Sequence, residues 1–230
     1  LLDFKGVNFF SANLLALFGC CVDNAITVSR NHLAVTNIHP KIKEVMQKNG
    51  FNRYFTWEKL KDNNHSTMDY AIFGANTTSL ELFERYLIIN VFSRQEMPSM
   101  NTHFKDRIVD AFLEIFNNVI DHADCRSVYV CGQYFPKSST LSFSIVDIGS
   151  TKADTAPGGL GFSILIDFLK LNNGSFILIS DDEIYEIYKK KERFNKISPR
   201  FPGTIVTITI NLKDDHLYYY DNNQNNVIVF

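Results

Sequence analysis

Residues 114 to 123, EIFNNVIDHA, place Glu114, Asn118 and His122 at intervals of four. At 3.6 residues per turn, such positions drift only about 40° per step along one helix flank, and the three span about 12 Å. Their types suit different tasks: a carboxylate takes a proton from water or a hydroxyl, an amide oxygen ligates a hard cation, and an imidazole packs or hydrogen-bonds. Left unpaired in a core each would cost about 1–3 kcal/mol, so the pattern means either a solvated helix face or one wall of a ligand site. Two later stretches offer partners. IVDIGS ends an apolar run with Asp147 and Gly149, setting a carboxylate where the chain must turn, and PGGLGFSIL brings Gly158, Gly159 and Gly161 to a helix start, where backbone N–H groups can cradle phosphate oxygens. A strand-end Asp is usually a turn residue and a glycine-led helix usually a tight connection, so neither decides alone.

The elements that must position these groups follow from hydrophobic periodicity. Between His103 and His122, Ile108, Ala111, Phe112, Ile115 and Val119 mark the buried stripe of a long helix. Strands SVYVCGQYF and TLSFSIVDI follow, then the helix GGLGFSILIDFLKL closed by NNG, then strands SFILIS, EIYEIYK and GTIVTITINL. A further helix, SLELFERYLIINVFSR, precedes them and stops before Pro98. Grouped helices and successive strands predict an α+β fold, a two-layer α/β sandwich with helices on one face of a mixed sheet over residues 75–212. Residues 1–52 read as β-α-β-α: a short strand, a helix entered at Ser11, the strand HLAVTNI, and a helix from Pro40 to a cap at Asn49-Gly50. The polar stretch 53–74 reads as a linker or surface excursion, and 213–230 as a C-terminal tail.

ExxxNxxxH on a helix, a strand ending DxG, a GGLG helix entry and a strand opening Gly203-Thr204 occur in an order that resembles the GHKL ATP-binding family, which includes gyrase, histidine kinases and anti-sigma-factor kinases. The resemblance spans roughly residues 75 to 212 and implies the Bergerat-type ATP-binding fold. It implies that Asn118 ligates the Mg²⁺ bridging the phosphates of ATP or ADP, and that Glu114 orients or deprotonates an attacking water or hydroxyl. Asp147 would accept the adenine amino group, Gly149 would keep the backbone close to the base, and Thr204 would stand near adenine. Gly159 and Gly161 correspond to the phosphate-binding glycines. Lys152 reads either as a lid residue reaching the phosphates or as a solvated loop lysine, and His122 reads as a packing histidine in preference to a catalyst. The family follows DxG with another glycine and a long lid, whereas DIGS here runs into TKADTAPGGLG; the short span predicts that lid residues are missing at Ser150-Thr151. The N-terminal β-α-β-α resembles the second half of a STAS domain, the fold of anti-sigma-factor antagonists. Ala12 falls where phosphorylatable members carry serine, and Ser11 either substitutes or caps the helix.

Together these resemblances imply an ATP/Mg²⁺-binding regulatory protein with slow ATPase or serine/threonine kinase activity on a protein partner. The alternative is a non-catalytic interaction module with a degenerate nucleotide site. A histidine kinase is disfavoured, because ERYLIINVFSRQEMPSMN ahead of the ATP-binding helix carries no histidine. A formal charge of −2 shows no basic footprint, so no nucleic-acid partner is expected and no block of like charge is read as a partner surface. Cys20, Cys21, Cys125 and Cys131 suit neither a disulfide framework nor a zinc half-site. With no apolar run of about 18 residues and no signal-peptide pattern, no membrane association and a cytoplasmic location are expected; a homodimer is left open. The chain begins at Leu1 rather than Met, which suggests a trimmed start.

Overall fold

A computed structural model describes residues 1–29, 34–149, 160–221 and 226–229. The N-terminal region comprises β1 (Leu2–Asp3), α1 (Leu14–Ser29), β2 (Val35–Thr36) and α2 (Pro40–Lys48). Then come β3 (Ala71–Gly74), α3 (Leu80–Leu87) continued by a π-helical turn to Phe92, β4 (Ser99–Met100) and α4 (Thr102–His122). Strands β5 (Ser127–Phe135) and β6 (Thr140–Asp147) precede α5 (Leu160–Leu171), and β7 (Ser175–Tyr188), β8 (Lys191–Asn211), β9 (Leu217–Asp221) and β10 (Asn226–Val229) follow.

Five strands form the main sheet in the order β3-β5-β6-β8-β7, and every neighbouring pair is antiparallel. The mixed sheet expected from sequence is therefore corrected: β5 and β6 are joined by a tight hairpin, as are β7 and β8, and α5 returns the chain to an antiparallel edge position. SFILIS and EIYEIYK also merge into one strand, β7, interrupted by a bulge near Asp181. Within the stretch read as a linker or excursion, Ala71–Gly74 supplies the edge strand β3, while Met68 and Tyr70 are buried.

Alternation along the central strands sorts the side chains onto two faces. Leu141, Phe143 and Ile145 of β6, with Val206, Ile208 and Ile210 of β8, join Ile108, Phe112, Ile115 and Phe116 of α4 and Leu165 and Phe168 of α5 in one core. The opposite positions, Tyr129, Cys131, Val146 and Ile205, meet Leu15, Ala16 and Cys20 of α1 and Ile42 and Met46 of α2. The N-terminal segment thus adds a third layer on the second sheet face. Its helix lies close because Gly19 leaves room for the Tyr70 phenol. It is also tied by Asp23, which accepts hydrogen bonds from Tyr54 (2.9 Å) and Tyr129 (3.0 Å).

The entry to α4 is fixed on both sides. Asn101 caps it by accepting from the Phe104 N–H at 2.8 Å, a contribution of about 1 kcal/mol. Just upstream, β4 pairs in parallel with β9 in a second, three-stranded sheet, so the C-terminal segment clamps the start of the helix. Tyr218 of β9 is fully buried between Phe104 and Phe168. No helix among the described residues is long and apolar enough to cross a membrane.

Candidate functional site

Asp147 is the last residue of β6 and shares the α4/α5 face with Ile145 and Phe143, two and four residues back. Its cross-strand partner is Thr204 of β8, so the two polar groups sit side by side on one face although 57 positions apart in sequence. Asp147 is 1% exposed, and its Oδ1 has no hydrogen-bond partner among the described residues. Burial pushes the carboxyl up to about 7, against hydrogen bonds from the Thr204 side chain and backbone that pull it down. A buried acceptor left without a donor costs about 1–3 kcal/mol, more when charged. Such an oxygen is a ready receiver for one N–H of a ligand.

Two glycines let backbone come close at this strand end. A Cβ on Gly149 would stand 2.9 Å from the Cys125 Cβ and the Asp124 carbonyl carbon, in the connection immediately after α4. A Cβ on Gly203 would press on the Asp147 carbonyl and stand 2.8 Å from the Ile148 Cα. The end of β6 is therefore packed against the C-terminal end of α4 on one side and the start of the paired segment of β8 on the other. The Cys125 thiol feels the same proximity: burial, then the Asp147 charge, pushes it up to about 11, which leaves it an inert neighbour.

Glu114 and Asn118 lie on the flank of α4 beside the buried stripe, Glu114 half-buried and Asn118 exposed. A rise of about 6 Å between them puts Asn118 one turn nearer the Asp147 end. Gly161 falls in the first turn of α5, whose buried side packs on α4 through the shared core. The Asp147–Thr204 pair, Gly149, Gly203 and the last turns of α4 are thus brought to one end of the helix-covered sheet face. Lys152, Gly158, Gly159 and the Ser150-Thr151 junction lie outside the described residues, as does the His122 side chain. Sequence reasoning did not find the Asp124-Cys125 connection against which Gly149 packs; it carries no pattern of its own, and only the tertiary contact reveals it.

Among the described residues no cluster of three His, Cys, Asp or Glu side chains is arranged to hold a metal ion. A cation such as Mg²⁺ that keeps several of its waters and is held with substrate phosphates would need few protein oxygens and no such cluster. The exposed Asn118 amide fits that limited role. No protein-family model and no curated protein matches this chain.

Proposed function

We propose that the chain is an adenine-nucleotide-binding regulatory protein of the GHKL type, built on a Bergerat-type sandwich with a STAS-like N-terminal layer and acting in the cytoplasm. The observation that carries the reading is the Asp147 carboxylate: buried at a strand end, on the helix-covered face, with one oxygen lacking a donor among the described residues. The adenine amino group supplies that donor. Gly149 and Gly203 let the neighbouring backbone close in on this strand end, and Thr204 offers a second polar contact at the same level.

In this reading Asn118 holds Mg²⁺ through its amide oxygen, and Gly159 and Gly161 hold the phosphates at the start of α5. When bound, Mg²⁺ neutralises phosphate charge. Glu114, one turn back and half-buried, orients or deprotonates the attacking water or hydroxyl of a protein substrate. The parallel pairing of β1 with β2 across α1, Leu2 with Val35 and Asp3 with Thr36, supports the STAS-like assignment of the first layer. That layer is the natural place for a protein partner to sense the nucleotide, because α1 packs beneath the strand that carries Asp147.

Base selection tests the proposal. Inosine triphosphate carries an oxo group where ATP carries the amino group, so its oxygen would face the Asp147 carboxylate. ATP should bind about 100-fold or more tightly than inosine triphosphate. Equal affinity for the two would remove Asp147 from base recognition.

A further inference from the structure

The strand pair β7–β8 outlasts the main sheet. Beyond the bulge at Asp181, it continues as a two-stranded ribbon that pairs Glu183 to Tyr188 with Lys191 to Lys196. The inner face of the ribbon is anchored: Ile187 is fully buried, Tyr185 packs on Phe176, and Glu192 pairs with Lys170 of α5.

The turn and outer face carry charge. Lys189, Lys190, Lys191, Arg193, Lys196 and Arg200 stand against the single acid Glu192 over residues 189 to 200, a charge of +5 within a chain totalling −2. The facing strand adds Asp181, Asp182, Glu183 and Glu186, so residues 181 to 200 sum to +1, and the excess of positive charge is confined to the turn and the positions beside it, Lys189, Lys190, Lys191 and Arg193. All six cations are exposed. Asp182 and Asp181 engage Lys196 and Arg200 at 3.1 and 3.4 Å. Although Glu186 faces Arg193 across the ladder, among the described residues no acid forms an ion pair with Lys189, Lys190, Lys191 or Arg193.

Backbone geometry makes the turn lysines costly for folding. Lys189 and Lys190 adopt φ of 51° and 64°, the left-handed pair that Asn-Gly fills readily and lysine does not. One aromatic ring accompanies the charge: Tyr188 is 49% exposed with the Lys189 Nζ 5.3 Å from its ring, whereas Phe194 pairs with Tyr185 on the inner face, 4.8 Å from its ring. A strand-tracking nucleic-acid site needs a charged groove lined with stacking rings, and a two-stranded ribbon with one exposed ring on its outer face forms no such groove. This ribbon has a packed inner face and an exposed outer one. The turn lysines, with Lys191, Arg193 and the exposed Tyr188 ring on one face, match the headgroup region of a membrane.

We propose that the turn of the β7–β8 ribbon docks this protein onto an anionic phospholipid surface, with Lys189, Lys190, Lys191 and Arg193 at the headgroups and Tyr188 at the interface. The site is independent of the nucleotide reading. The test is co-sedimentation of the full chain with phosphatidylcholine vesicles, with and without about 30% phosphatidylserine. Wild type should pellet with the anionic vesicles only and be released as salt screens the contact. The double variant Lys189→Asn/Lys190→Gly removes two charges while giving the turn residues its backbone favours, so unfolding does not explain a loss. It should partition about 30-fold more weakly, about fivefold per cation. Equal pelleting on neutral vesicles, an unaffected double variant, or binding to a short single-stranded DNA with no vesicle binding would each overturn the proposal.

Discussion

Replacing Asp147 by asparagine should stabilise the fold in a pH-dependent way while removing nucleotide affinity. The carboxyl rises from 3.8 to about 7 on folding because burial disfavours its charged form. The folded state therefore binds the proton more tightly than the unfolded chain. The stability this gives is fully present below about pH 4, declines as pH rises towards 7, and is gone above that. At ~1.4 kcal/mol per pH unit, the interval corresponds to at most about 4 kcal/mol. Asparagine is neutral throughout and keeps an oxygen to accept from Thr204. The stability difference between variant and wild type should thus be near zero at pH 4 and grow in favour of the variant by up to about 4 kcal/mol at pH 8. Urea unfolding of both proteins at unit pH steps from 4 to 8 measures it, since every other titrating group cancels in the difference. A difference that stays flat with pH, or an asparagine variant less stable at pH 8, would refute the reasoning that Asp147 is a buried, under-satisfied carboxylate.

Other consequences are local. Gly19→Ala should destabilise by about 1–3 kcal/mol in chemical unfolding, because the added methyl meets the Tyr70 phenol under α1 and this outweighs the gain in helix propensity. Tyr218→Phe deletes a hydroxyl that donates to Asp214 Oδ2 at 2.5 Å. Burial alone would raise the Asp214 carboxyl, but hydrogen bonds from Tyr218, His216 and Asn172 outweigh it and hold the group below its usual range. The variant should lose about 1.5–3 kcal/mol at neutral pH, and the loss should shrink in acid as Asp214 is protonated, which pH-dependent thermal melts would show. Glu114→Ala should abolish hydrolysis or phosphotransfer and leave nucleotide affinity within a few-fold, measured by phosphate release beside direct binding. Unchanged turnover would exclude Glu114 from the chemistry.

Long periodic elements were the legible part of the sequence. The α4 stripe and the strands SVYVCGQYF and TLSFSIVDI are found where the pattern puts them, because each buries a face whose period reports its own geometry. Sheet direction was not legible: it depends on the short β5–β6 and β7–β8 turns and on where α5 returns the chain, and no single strand encodes that. The place of the N-terminal segment was hidden for a similar reason. Tyr129 and Val146 read as ordinary strand residues until α1 is seen covering them. At the candidate site, the residue types of Asp147 and Thr204 were readable, but their direct cross-strand pairing and an Oδ1 without a partner among the described residues emerge only from register and burial. The basic turn was not legible in the total because net charge averages over a chain, whereas a surface contact responds to what lies within about 10 Å.

Isothermal titration of the full-length chain with ATP, in the presence and absence of Mg²⁺, addresses the central claim most directly, with Asp147→Asn titrated in parallel. The nucleotide reading predicts saturable one-to-one binding that Mg²⁺ strengthens and that the asparagine variant loses by at least about tenfold, as expected for an amide N–H set against the adenine amino group. No heat and no saturation for the wild-type protein under either condition would contradict it.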